Sequence, residues 1–442
     1  MKRRSFALGV LVAFSFVVST ASAKRVADPG QRGPYEVGFT CFLLVDGSRD
    51  TDSGFGGRPI PVYMWYPVDC ADIHGETPEA AYPLDAYYGF LPPAGSSSVE
   101  LYGLDRAYHE PRPSSDAPFP LVVFSPGWGH TSLSHVSIGT RLASHGIAVA
   151  IVTHYGDGAL PWDPFHHVAV ASVNRPLDLS FALDRVLDRN GSQGDLLYGV
   201  VNPRQVAAAG WSLGGYAALA LAGGDDMVCD AFLDPAFVEQ YGPPPPQTCV
   251  PALPDPRFKA VVSLDGSSHL LRLDELARIT APTMLIGQEP ETASDGQARA
   301  HAAIRAHPCY RVDVINSIHW SFSDMYEAYQ VLRDMGIYPP EFVEEVLAPF
   351  SDAIPSLTAH QLVNKYMIAF LKTQLEGDRG YQRILTRGWA ITREPDIEFF
   401  VTEKHKKEKH KNKDKKKEKE EPGCHRRGLA GHVHLLHRSA GK

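Results

Sequence analysis

The stretch Gln205-Val206-Ala207-Ala208-Ala209-Gly210-Trp211-Ser212-Leu213-Gly214-Gly215-Tyr216 constrains this chain more than any other. A short apolar run ends at Gly210, turns through Ser212 and enters the small-residue run Tyr216-Ala217-Ala218-Leu219-Ala220-Leu221-Ala222. Strand, tight turn and helix, in that order around G-x-S-x-G, form a nucleophile elbow. Its serine sits in a strained backbone conformation, and Gly210 and Gly214 leave room for neighbouring chain segments. Ser212 is thereby presented at the strand's C-terminal end, with the Leu213 N–H beside it as a donor for an oxyanion.

The surrounding pattern fits a sheet that can carry such an elbow. Val37 to Val45 and Ile60 to Tyr66 read as an N-terminal hairpin, followed by a Pro-, Gly- and Ser-rich excursion over 71–117. Strands are then expected at Pro120–Phe124, Ile147–Val152, Lys259–Leu264, Thr283–Gly287 and Tyr310–Ile315, the last taken as the final core strand. Helical segments fall between them at Leu133–His145, 175–189 and Gly296–His307, and an amphipathic helix over Thr358–Leu375 closes the domain. Alternating strands and helices predict a doubly wound, mostly parallel sheet covered on both faces.

The ends of the chain read differently. Lys2-Arg3-Arg4, an apolar run from Phe6 to Val18 and Ala21-Ser22-Ala23 make a secretory signal peptide with cleavage after Ala23. The expected organisation is therefore 1–23 signal peptide, 24–400 folded domain and 401–442 tail. The tail carries 14 Lys and Arg against 6 Asp and Glu, which leaves a net −16 on the rest of a chain whose total is −8. Such a tail cannot bury a core, and a solvated tail is the simpler reading of its histidines than a metal site. It has the charge to touch anionic surfaces, while the acidic body argues against a nucleic-acid-binding core. Export favours disulfides among the six cysteines. Cys229 and Cys249 flank one excursion and are expected to pair; Cys41 and Cys70, on the two hairpin runs, are a second candidate pair. Cys309 is read as a buried thiol.

A serine needs a base, an orienting acid and a second oxyanion donor. The base should follow the last core strand, where His319 stands in Ile315-Asn316-Ser317-Ile318-His319-Trp320. His154, His166, His167, His301 and His307 lie on helices or earlier loops and read as surface or structural. Two acids remain open: Asp265, which ends the strand after the elbow, and Glu291, one strand later. Asp324 reads as a solvated charge. The second donor is expected at Trp128 in Gly127-Trp128-Gly129. The Trp128 and Trp320 rings suit an acyl-pocket wall and core packing equally well.

Phe124-Ser125-Pro126-Gly127-Trp128-Gly129, Leu142-Ala143-Ser144-His145-Gly146-Ile147-Ala148-Val149, Gly210-Trp211-Ser212-Leu213-Gly214-Gly215 and His319 with Phe322 and Asp324 carry a resemblance. Over roughly 37–385, they resemble the platelet-activating-factor acetylhydrolase family and the secreted dienelactone hydrolase-like proteins, and more distantly the cutinase-like polyester hydrolases. The resemblance implies an α/β-hydrolase fold with an acyl-enzyme mechanism. It places the nucleophile at Ser212, the base at His319 and the oxyanion donors at Trp128 and Leu213. In the acetylhydrolases the acid falls on Asp265; in the polyester hydrolases it falls one strand later, on Glu291. Pro126 replaces the usual His before the oxyanion glycine, and Ser212 stands where true dienelactone hydrolases have Cys.

The sequence thus predicts an exported serine hydrolase of short-chain acyl esters, with a small-molecule or lipid ester as substrate and no metal or organic cofactor. A polyester or longer-chain lipid hydrolase is the alternative. Amide hydrolysis also stays open, and a catalytically idle binding protein is a third reading, against which the full set of candidate residues argues.

Overall fold

The computed structural model describes residues 27–49, 54–75, 82–83, 98–99, 106–156, 168–289, 296–336 and 338–402. The expected signal peptide, His166, His167, Glu291, Cys424, the tail beyond 402 and much of the 71–117 excursion lie outside the described residues.

The N-terminal hairpin forms: β1 (Glu36–Asp46) and β2 (Arg58–Val68) pair antiparallel along their whole length. A short strand, β3 (Tyr108–His109), joins the outer edge of β1. The parallel body comprises β4 (Phe119–Ser125), β5 (Ala148–Val152), β6 (Val201–Trp211), β7 (Phe258–Leu264), β8 (Thr283–Gln288) and β9 (Cys309–Val314). An antiparallel strand, β10 (Ile397–Thr402), covers β9. The order across the sheet is β10-β9-β8-β7-β6-β4-β5-β2-β1-β3.

Helices cover both faces: α1 (Val136–Ser144), α2 (Val168–Gly191), α3 (Leu213–Gly223), α4 (Gly296–Ala303), α5 (Met325–Asp334) and α6 (Ser356–Leu371). This double cover explains the unbroken apolar runs of the central strands, since neither side chain direction meets water. Alternate residues simply serve different layers. Val122, Phe124, Ala207, Ala209, Val262 and Ile286 pack with α1 and α6. Val123, Ala208, Val261 and Leu285 pack with α2 and α3.

Three details depart from the sequence reading. Tyr310–Ile315 is not the final strand, because β10 follows it, and β10 crosses residue 400, where the folded domain was expected to stop. The helix over 358–375 does not close the domain either; Arg387–Arg393 and β10 come after it. Finally, Cys41 and Cys70 are free thiols. The hairpin register sets Cys41 opposite Tyr63, and Cys70 lies beyond the end of β2. Seven residues of chain, five of them to the end of β2, separate Tyr63 from Cys70, roughly 20 Å and well outside disulfide reach.

Cys229 and Cys249 are bridged, with their Cα atoms 5.2 Å apart. They close the excursion that follows α3, at the helix end about 16 Å from the elbow. Closing a loop of this length removes about 3 kcal/mol of unfolded-state entropy. Replacing both cysteines by alanine should lower the urea midpoint by a corresponding amount. Activity per folded molecule should not change, because the bridge is remote from the elbow.

Candidate active site

The parallel strands deliver their C-terminal ends to one edge of the sheet. Register sets Ser125 of β4 beside Gly210 of β6, and Trp211 beside Leu264 of β7. The loops that leave β4, β6, β7 and β9 there carry Trp128, Ser212, Asp265 and His319.

The elbow turn leaves no room for side chains at two positions. A Cβ on Gly214 would collide with the Ser125 carbonyl, and one on Gly210 would collide with the Gly214 backbone and come 2.8 Å from the Ser125 carbonyl oxygen. Ser212 itself has φ 56° and ψ −123°. Positive φ among the described non-glycine residues occurs at Glu110, Ser212, Asp265 and Asn316. Three of these four lie on the loops bearing the serine, the carboxylate and the histidine. Each such residue costs on the order of 1–3 kcal/mol, so its surroundings must hold it. Ser212 N–H donates to the Leu264 carbonyl at 2.9 Å, and the Ser212 carbonyl accepts from Ser267 N–H at 3.0 Å. Asp265 N–H donates to Ile286 of the neighbouring strand at 2.6 Å.

His319 Nδ1 lies 2.5 Å from Asp265 Oδ2, across 54 residues of sequence. The same carboxylate accepts Gln288 Nε2 at 3.1 Å and Gln288 N–H at 3.3 Å. Trp211 Nε1 donates to the His319 carbonyl at 3.1 Å, and its ring lies 4.8 Å from the imidazole. With Nδ1 engaged by Asp265, Nε2 is the nitrogen left for a reacting group. Among the described residues Ser212 Oγ makes no hydrogen bond; a contact between a serine and an imidazole in a candidate site often tightens only with substrate bound.

The candidate oxyanion donors are the amides of Trp128 and Leu213. His130 N–H closes a turn onto the Gly127 carbonyl at 3.1 Å, and Gly129 at its third position has φ 77°, as a type II turn requires. A Cβ on Gly127 would lie 3.3 Å from Ser212 Cβ and 2.6 Å from the Trp211 ring, so this turn sits directly against the elbow. Among the described residues neither the Trp128 N–H nor the Leu213 N–H is taken up by another group.

The aromatic residues divide. Trp320 packs on the α1/α6 layer, 5.8 Å from Trp211 and 6.0 Å from His319. Trp128 packs on the opposite layer. Between the Trp211 and Trp320 rings stands His130, lowered to about 3 by burial first and then by the charges of Arg175 and His319. It is a neutral ring at ordinary pH.

Of the other histidines, His154 is fully buried behind the site, His301 Nε2 donates to the Cys309 carbonyl, and His307 is exposed. Asp324 is not solvated, contrary to the sequence reading. It is fully buried, accepts Ser137 N–H at 2.9 Å and the Ser137 hydroxyl, and ties the loop after His319 to α1. Its own N–H donates to the Ser134 carbonyl at 2.8 Å. Sequence reasoning also assigned no role to Trp211 or Gln288. Their places in the chain, just before the serine and at the end of the strand after Asp265, were the available signals.

The sequence profile of the alpha/beta hydrolase family matches residues 122–436, and the chain belongs to that family. Over 142 residues it is 30% identical to a platelet-activating factor acetylhydrolase of Cavia porcellus. That match covers 30% of this chain and 29% of the relative, so the chain spans less than a third of that protein's length. A solved ferulic acid esterase from Streptomyces cinnamoneus shares the fold, with TM-score 0.55 and 22% identity over 83% of this chain and 96% of the esterase.

Burial raises Asp324 to about 6 from 3.8, with Glu327 adding to the rise and His360 and Ser137 opposing it. A carboxyl whose pKa is higher when folded favours the fold below 3.8, and that contribution fades as pH climbs through 6. The shift corresponds to about 3 kcal/mol. Asp324→Asn does not ionise, so it should gain stability relative to the native chain between pH 4.5 and 7.5. Urea unfolding at the two pH values measures the difference.

Proposed function

We propose that this chain is an exported serine hydrolase that cleaves short-chain acyl esters through an acyl-enzyme. The observation that carries the reading is the Asp265–His319 hydrogen bond, formed beside a serine in the strained elbow conformation. Ser212 Oγ attacks the ester carbonyl while His319 Nε2 takes its proton. Asp265 orients the imidazole through Nδ1 and stabilises the imidazolium. The Trp128 and Leu213 amides receive the oxyanion, which makes charge at the former carbonyl oxygen less costly in the transition state than in the ground state. His319 then protonates the departing alcohol, and a water molecule deprotonated by the same nitrogen releases the acid.

Each of these steps uses the chain's own groups, so turnover should persist in EDTA. The acetylhydrolase similarity, though partial, supports a short acyl group and a soluble or lipid ester substrate. Asp265 is preferred to Glu291 as the acid because it already holds the imidazole. Residues 1–23 act as the signal peptide, so the exported protein should begin at Lys24.

The test is hydrolysis of p-nitrophenyl acetate, butyrate, octanoate and palmitate. Rates should fall with chain length, and a maximum at the long chains would replace this reading with a lipase or polyester hydrolase. Ser212→Ala should lose several orders of magnitude in kcat and all labelling by a fluorophosphonate. Asp265→Asn should lose about 10⁴-fold, and Glu291→Gln little. Loss confined to the Glu291 variant, with both proteins folded, would move the acid one strand along.

A further inference from the structure

Behind the Gly127–His130 turn lies a polar network that the reaction above does not use. Ser125, His154, Arg175 and Asp178 are all fully buried. Ser125 Oγ is 2.8 Å from His154 Nε2, and His154 Nδ1 is 2.8 Å from Asp178 Oδ2. Arg58 Nε and Nη2 each donate to Asp178 at 2.8 Å. The order serine, imidazole, carboxylate is that of a catalytic triad, but this copy is sealed from solvent and no ester can reach it. It ends instead on a guanidinium. Arg175 Nη1 donates to Ser125 Oγ at 3.0 Å and to the Pro126 carbonyl, while Nη2 donates to the Gly127 carbonyl at 2.9 Å.

The last contact bears on chemistry. The Gly127 carbonyl and the Trp128 N–H belong to one planar, trans peptide unit and therefore point in opposite directions. The Gly127 carbonyl accepts two donors, the His130 N–H that closes the turn and Arg175 Nη2, so the Trp128 N–H of the same peptide faces away from both and is held in that direction, on a turn that packs against the elbow. A charged donor on the carbonyl also draws electron density from the amide and strengthens its N–H as a donor. The rest of the network fits this task. With the imidazole neutral, hydrogen bonds run in one sense, from Arg175 to Ser125, from Ser125 to His154 and from His154 to Asp178. Arg175 is tied at one end to the turn and at the other, through that chain, to a carboxylate held ionised by Arg58. Asp178 lies far below the usual carboxylate range, because Arg58, His154 and Arg49 together outweigh the cost of burying it.

We propose that Arg175 is a positioning residue of the oxyanion site, which orients and polarises the peptide carrying the Trp128 N–H, with Ser125, His154 and Asp178 as its anchor. The inference rests on the ester-hydrolase reading given above. It predicts a loss in the transition state and little change in ground-state binding.

The experiment uses the exported full chain, with active sites titrated by a fluorophosphonate, and compares wild type, Arg175→Met, Arg175→Lys and Ser125→Ala. For p-nitrophenyl butyrate, kcat per titrated site should fall at least roughly 10-fold in Arg175→Met, and at most by the roughly 100- to 1000-fold that losing an oxyanion donor outright costs. KM should stay within about threefold. Arg175→Lys should recover part of the loss. Inhibition by an alkyl trifluoromethyl ketone, which forms an oxyanion on the serine, should weaken in parallel with kcat. Should Arg175→Met fail to fold, Ser125→Ala carries the test, with a smaller fall of about 3- to 10-fold in both quantities. Unchanged kcat per titrated site and unchanged ketone affinity, with only a lower melting temperature, would reduce Arg175 to a structural residue and overturn the proposal. A wild-type chain that neither turns over esters nor takes the label would sink the hydrolase reading, and this proposal with it. Active wild type with indifferent Arg175 variants sinks the proposal alone.

Discussion

At the centre of the molecule two stretches of main chain touch with no side chain between them. Gly210 and Gly214 lie against the Ser125 carbonyl at the end of β4, so the elbow and the loop that follows β4 are set at van der Waals distance. That contact fixes where the serine stands relative to Trp128. It also explains the small residues of β6, because Ala207, Ala208 and Ala209 let helices on both faces come close to a strand that must carry the turn. Once β4 and β6 are joined in register, β7 and β9 bring Asp265 and His319 to the same edge through ordinary parallel pairing.

The candidate site is braced by residues around Ser212, Asp265 and His319. Gln288 braces the carboxylate, Trp211 braces the histidine loop, and Asp324 fastens the following turn to α1. Backbone strain at Ser212, Asp265 and Asn316 is tolerated because each neighbouring strand or loop contributes a hydrogen bond that favours the strained form. Geometry of this precision belongs to strand ends rather than to free loops, since a strand end inherits the rigidity of the sheet.

Much of this was legible in the sequence, and the reason is physical. G-x-S-x-G is demanded by main-chain contact, so the elbow announces itself locally, and the central strands announce themselves because burial on both faces leaves short runs that are almost wholly apolar, such as Leu121–Phe124 and Val206–Ala209. The Cys229–Cys249 pairing was legible for a similar reason, because both residues border one short excursion. What escaped depends on register and burial. Cys41 and Cys70 look like partners on a hairpin until pairing places Cys41 opposite Tyr63. Asp324 looks solvated until α1 folds over it, and Arg175, at the start of the expected helix over 175–189, received no role. A polar residue carries no mark of its environment, and only the assembled layers reveal whether it meets water or a carbonyl.

The strand β10 has a bearing on how the chain is made. Residues 397–402 supply the antiparallel partner for the whole length of β9, with the Arg311 guanidinium stacked 3.8 Å over the Phe400 ring. Since β9 precedes the loop of His319, the edge of the sheet beside that loop stays open until roughly eighty further residues have left the ribosome. An unfinished chain therefore carries a bare strand edge, the kind of surface that pairs with other chains. The fold is therefore completed at this edge only by a segment made well after Ser212, Asp265 and His319.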